Sequence, residues 1–154
     1  MTDTAPTPTP TNSNTAAHVQ HETVTEDIFY PEHGPRTDEN PEFNKARDHL
    51  ITTLGIGCHI CGSKENLEAH HYGTEFAEEP NCDMDKLKAF LLEWDVHGRS
   101  AILKDTPIKD SADIRNLMIL CATHHRHKDK GIHALTYPIW IMQKVAKDGV
   151  QITA

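Results

Sequence analysis

Two pairs of metal-seeking residues, Cys58-x-x-Cys61 and Cys121-x-x-His124, constrain this chain more than any other feature. A tetrahedral zinc ion takes four soft or borderline donors, and that is the number the two pairs supply. Gly57-Cys58-His59-Ile60-Cys61-Gly62 reads as a zinc knuckle, in which glycine permits the tight turn that aims two thiolates at one ion. Because all four donors are used and no position is left for water, the expected Zn2+ site is structural rather than catalytic. Disulfides are the weaker reading of the same cysteines in a reducing compartment, and Cys82 is left over.

The rest of the chain is organised around that pairing. Residues 1–25 are dominated by Thr, Pro, Ala, Asn and Ser without apolar period, so they are expected to be a disordered tail. Residues 26–40 read as an irregular arm, giving a tail and arm over 1–40 and a single domain over 41–154. No apolar stretch approaches the roughly 18 residues of a membrane span, and the start lacks the basic-then-apolar order of a secretory signal. The expectation is a cytoplasmic protein with no membrane partner.

Charge follows the same division. Of the 15 Lys/Arg and 23 Asp/Glu, residues 1–42 hold one and eight, so they carry −7 of the formal −8 and leave residues 43–154 nearly neutral. Arg115, Arg126, Lys128 and Lys130 fall around a run of histidines, and a local cationic patch matters more to phosphate binding than net charge. These four are the candidate nucleic-acid contacts.

Periodicity supplies the elements. Asn40 is a plausible N-cap with Pro41 at the first helical position; Phe43, Ala46, Leu50 and Leu54 recur at three- and four-residue steps, and Gly55 follows. Asn66 to His71 reads as a short strand and Asn116 to Leu120 as a buried one, after which Cys121 onward should be helical until Gly131. Residues 76–110 form an insertion in which Asp85 could cap a helix carrying Leu87, Phe90, Leu91 and Trp94 on one side. A last helix opens at Tyr137-Pro138, stops at Gly149, and is expected to pack on the first helix.

With the zinc assigned, His70, His71, Asn116 and His125 remain, and here the sequence resembles the HNH endonuclease family. The resemblance runs from Gly57 to about His133, on Glu68-Ala69-His70-His71, then Asn116-Leu117 before Leu120-Cys121, then His125. It implies an α+β fold with a ββα-metal core, a structural zinc site, flanking helices and a helical insertion. It also implies that His71 is the general base activating water, that His70 and His125 bind a catalytic divalent ion, and that Asn116 fixes loop geometry and holds the base. The third ligand is open between His127, which would face away on a helix, and His133, beyond Gly131, with His133 favoured. The catalytic ion is Mg2+, Mn2+, Ni2+ or Zn2+, imidazole ligation favouring the transition metals.

The sequence departs from the family pattern in closing the zinc set with His124 and in the long interval from His71 to Asn116. The leading expectation is a metal-dependent endonuclease acting on double-stranded DNA, of the kind small HNH proteins of bacterial phages and mobile elements resemble. The rival expectations are a non-catalytic zinc module binding DNA or protein, and an adaptor that takes a protein partner through Trp94, Trp140 and the insertion.

Overall fold

A computed structural model describes residues 18–36, 40–103 and 105–153, and the part of the expected tail before residue 18 lies outside them. Residues 18–36 carry no helix or strand. The first helix, α1 (Pro41–Asp48), starts where the sequence places it: the Asn40 side-chain oxygen accepts from the backbone N–H of Glu42 (3.0 Å) and Phe43 (3.1 Å). It runs on through one looser, π-helical turn, His49–Thr53, and Gly55 leaves it at φ 62°.

Two strands form the sheet, β1 (Leu67–His71) and β2 (Leu117–Cys121), antiparallel with His70 opposite Met118 and Glu68 opposite Leu120. Asn66 stands just outside β1, at φ 49°. Every residue of β2 is buried. A strand buried on both faces needs cover on both, which explains the division of the core. Leu117 and Ile119 meet Ala46 and Leu50 of the first helix. Met118 and Leu120 meet Cys58, Ile60 and Trp140.

Trp140 belongs to the last helix, α5 (Tyr137–Val145), so α5 does not pack on α1 as its pattern suggested. It covers the other face of the sheet. There the wholly buried indole donates to the carbonyl of His124 at 3.0 Å, tying α5 to the second Cys/His pair.

Between the strands lie a 3-10 turn (Phe76–Asn81), α2 (Met84–Glu93) and α3 (Ser100–Leu103). The cap of α2 is Asp83, whose carboxylate accepts from Asp85 and Lys86 N–H at 3.0 Å each, and Asp85 sits inside the first turn. Leu87 and Leu91 are buried against Ile108, but Phe90 and Trp94 do not share that face. They are 37% and 51% exposed and stacked on each other with ring centroids 6.1 Å apart, and Phe90 also stacks on Tyr72 at 5.7 Å.

After β2 a single helical stretch, α4 (Ala122–Arg126), replaces the longer helix expected to reach Gly131. His127 ends it in extended geometry. The architecture is a small α+β fold, and among the described residues no helix is long and apolar enough to cross a membrane.

Candidate metal centres

The knuckle turn is held by Gly62 N–H to the Cys58 carbonyl and Cys58 N–H to the Ser63 carbonyl, both 2.8 Å. A Cβ on Gly57 would fall 2.6 Å from the Gly62 carbonyl oxygen, so only glycine permits that closure. His59 N–H donates to the Ile119 carbonyl at 2.8 Å, which docks the turn on β2 beside the second pair.

The ligand atoms of Cys58, Cys61, Cys121 and His124 consequently lie within 4.8 Å of one another. The separations are 3.9 Å for Cys61 Sγ to Cys121 Sγ, 3.6 Å for Cys58 Sγ to His124 Nδ1 and 3.2 Å for Cys121 Sγ to His124 Nδ1. Around a tetrahedral zinc, bond lengths of about 2.3 Å to sulfur and 2.0 Å to nitrogen put such donors roughly 3.5–3.8 Å apart. The cluster is therefore compatible with a zinc site. Burial raises the Cys61 thiol, whereas at Cys58 the hydrogen bonds from the His124 ring and from backbone N–H groups outweigh burial and lower it. One sulfur is thereby ready as a thiolate.

A second group joins β1, α4 and the loop beyond α4: the nitrogens of His70, His125 and His133 lie within 4.8 Å of one another. Gly131 makes this possible. Its missing Cβ would sit 2.7 Å from the carbonyl oxygens of both His125 and His127, and the close approach turns the chain back with Ile132 N–H on the His124 carbonyl at 3.0 Å. His127 does not join the group.

Burial holds His70 neutral, with its pKa lowered to about 3, helped by the neighbouring His133 and His125. His125 is also lowered by burial, although Glu68 pulls the other way. Its Nδ1–H donates to Glu68 Oε2 at 2.6 Å, which leaves Nε2 with its lone pair. Glu68 is in turn gripped by Arg126, through Nε at 2.8 Å and through a terminal nitrogen. Glu75 approaches His70 Nε2 at 3.6 Å. Neutral imidazoles braced by a carboxylate suit a divalent transition metal.

His71 is not in that group. One residue along the strand, it points toward α1, its ring 5.3 Å from that of Phe43 and 7% exposed. Its Nδ1–H donates to the Ser111 carbonyl at 3.0 Å, which fixes the tautomer and leaves Nε2 as acceptor. Burial lowers its pKa more than the nearby Glu75 and Glu79 carboxylates and the Ser111 bond raise it.

Asn116 is wholly buried with every hydrogen-bonding position filled. Its oxygen accepts from Gly73 N–H (2.7 Å) and Thr74 N–H (3.1 Å), and its amide donates to the carbonyls of Thr74 (2.9 Å) and Ser111 (2.7 Å). It thus fixes the loop after β1 and meets His71 through the shared Ser111 carbonyl.

The expected cationic patch is reduced by one member. Arg115 is 3% exposed, with Nε and a terminal nitrogen on the two oxygens of Asp113 (2.8 and 2.9 Å) and a bond to the Thr106 carbonyl (2.8 Å). It braces the approach to β2 rather than facing solvent. Arg126 and Lys128 are exposed, and Lys130 is half-buried.

Sequence reasoning missed Glu68, Glu75 and Ser111. Glu68 had a signal, since alternation puts it on the His70 face of β1. Ser111 contributes only backbone, which leaves no residue-type signature. The chain matches no protein-family model, no curated protein and no solved structure.

Proposed function

We propose that this chain is a metal-dependent HNH-type endonuclease that hydrolyses DNA phosphodiester bonds on a ββα-metal core. The supporting observation is the division of two consecutive histidines, His70 joining His125 and His133 while His71 is held by its Nδ1–H with Nε2 free. In this reading His71 takes the proton from the attacking water at Nε2, and Asn116 keeps the Ser111 carbonyl and the loop after β1 in register. Glu68 orients His125, and Arg126, Lys128 and Lys130 contact the backbone of double-stranded DNA. A divalent ion held by the three histidines would supply Lewis-acid stabilisation of the phosphate and leaving oxygen. The Cys3His set would hold a structural Zn2+ that pins the knuckle to β2.

Purified protein incubated with supercoiled plasmid and Mg2+, Mn2+, Ni2+ or Zn2+ should nick or linearise it. No cleavage of single- or double-stranded DNA by zinc-loaded protein with any of these ions would refute the enzyme. The reading that would then stand is a non-catalytic zinc module binding DNA or a protein partner. It is favoured by one observation: His71 is only 7% exposed, which limits the access of water to its ring. The exposed Phe90, Leu92 and Trp94 of the 76–110 segment would serve a protein partner in that case.

A further inference from the structure

Beside His71 lies a cleft of about 180 Å³, lined among others by Arg36, Asn44, Arg47, Phe76 and Ser111. Arg36 comes from the arm, not from the domain. It is the only Lys or Arg in residues 1–42, a segment otherwise strongly acidic. The arm is seated there by His33, whose ring meets Phe76 edge-on at 5.8 Å. Arg36 and His71 line the same cleft. Among the described residues no carboxylate forms an ion pair with Arg36, whereas Arg47 is paired with Asp48 at 2.9 Å. Two carboxylates, Glu75 and Glu79, lie near His71. Glu79 is occupied by Ser111 N–H at 2.8 Å, and Glu75 turns to His70.

We infer that Arg36 is a phosphate-binding residue: the arm closes the His71 cleft into a site for a tetrahedral phosphate, which in the nucleic acid is the diester being cut. This rests on the nuclease reading and extends it, making the arm part of the substrate site rather than a tether. The physical case is complementarity. A cleft with a guanidinium that has no carboxylate partner among the described residues, a half-buried second arginine and the His71 ring presents donors and positive charge together, and guanidinium offers a planar fork that matches phosphate oxygens.

The test uses the full chain, zinc-loaded, without added catalytic ion. Inorganic phosphate titrated into wild type should shift the His71 ring resonances saturably, and a short DNA duplex should compete. R36A should weaken the phosphate response about tenfold, and R36K should restore part of it. K147A, at an exposed residue outside the cleft, should leave it unchanged. In cleavage assays R36A should raise KM or lower kcat while the melting temperature holds. A wild type that shows no saturable shift, a duplex that fails to compete, or an R36A protein that binds phosphate and cuts as wild type does would overturn the inference. Phosphate binding that depends on Arg36 in a protein that cuts no DNA would support the site and refute only the nuclease.

Discussion

The two candidate metal centres share the β1–β2–α4 framework yet are built in opposite ways. The Cys3His group takes its donors as two local pairs, each preset by a short turn, and the fold has only to bring the pairs together. The three-histidine group takes one donor from β1, one from α4 and one from the loop after Gly131. A set of four donors dominated by sulfur saturates a tetrahedral ion. Three imidazoles flanked by Glu68 and Glu75 would, around an ion, leave coordination positions open. The contrast predicts that the first centre supports folding and the second can be emptied without loss of structure.

The largest effect expected from that contrast is on stability. Cys121→Ser removes one of the four candidate zinc ligands at the end of a fully buried strand, and on the zinc reading the domain should lose several kcal/mol or fail to fold. Chelation of wild type should act the same way, read by circular dichroism and elemental analysis. Folded protein without bound metal would break the comparison at its first term.

Next in size are the effects on cleavage. His71→Ala should leave the fold and zinc intact while the rate falls at least about a hundredfold, the usual scale for losing a general base. His70→Ala and His125→Ala should also lose activity, but a higher ion concentration should recover part of it, because mass action refills a weakened site. No ion concentration supplies a missing proton acceptor. Equal cleavage by His71→Ala and wild type would show that the base is another group.

How much of this the sequence carried depends on whether the information was local. The Cys pairs, the Asn40 cap and both strands are short-range patterns, and the structure places them within a residue or two of the reading. Asp83 displaced Asp85 as the α2 cap because two acidic residues compete for one helix start, and only geometry decides between them. Arg115 looked like surface charge because nothing in its neighbourhood announces that Asp113 and the Thr106 carbonyl enclose it. The apolar positions of α5 predict a buried face but do not say which side of the sheet it covers. The gathering of His133 with His70 and His125 depends on a chain reversal that only Gly131 hints at.

A smaller effect sharpens the second centre. Glu68→Gln keeps an acceptor for His125 Nδ1–H but removes the charge and releases Arg126. Loss of such a supporting carboxylate should weaken ion binding by the histidine group about tenfold, read by calorimetric titration of Ni2+, with the structural zinc unaffected. Unchanged Ni2+ affinity would mean that Glu68 serves only to hold Arg126.

The smallest expected effect concerns a histidine outside both groups, and it separates acid sensitivity due to packing from that due to metal loss. His97 donates Nε2–H to the Leu117 carbonyl at 2.9 Å, and burial lowers its pKa, aided by Arg99 and opposed by Asp95 and that carbonyl bond. His59 faces it from the knuckle, and its own proton is disfavoured first by burial, then by Lys144 and by His97. The unfolded chain therefore takes up a proton at His97 below about pH 6.5, where the folded chain resists it. The stabilisation is present above that pH and is lost as the pH falls toward the lower folded value. His97→Gln keeps an N–H donor for Leu117 but cannot titrate, so chemical denaturation of the two proteins, both saturated with zinc, should give a shallower acid decline for the variant. Zinc release at low pH is common to both and cancels in the difference. Parallel pH profiles would mean that His97 is hydrated more freely than its burial implies, and that the acid response belongs to the metal centres alone.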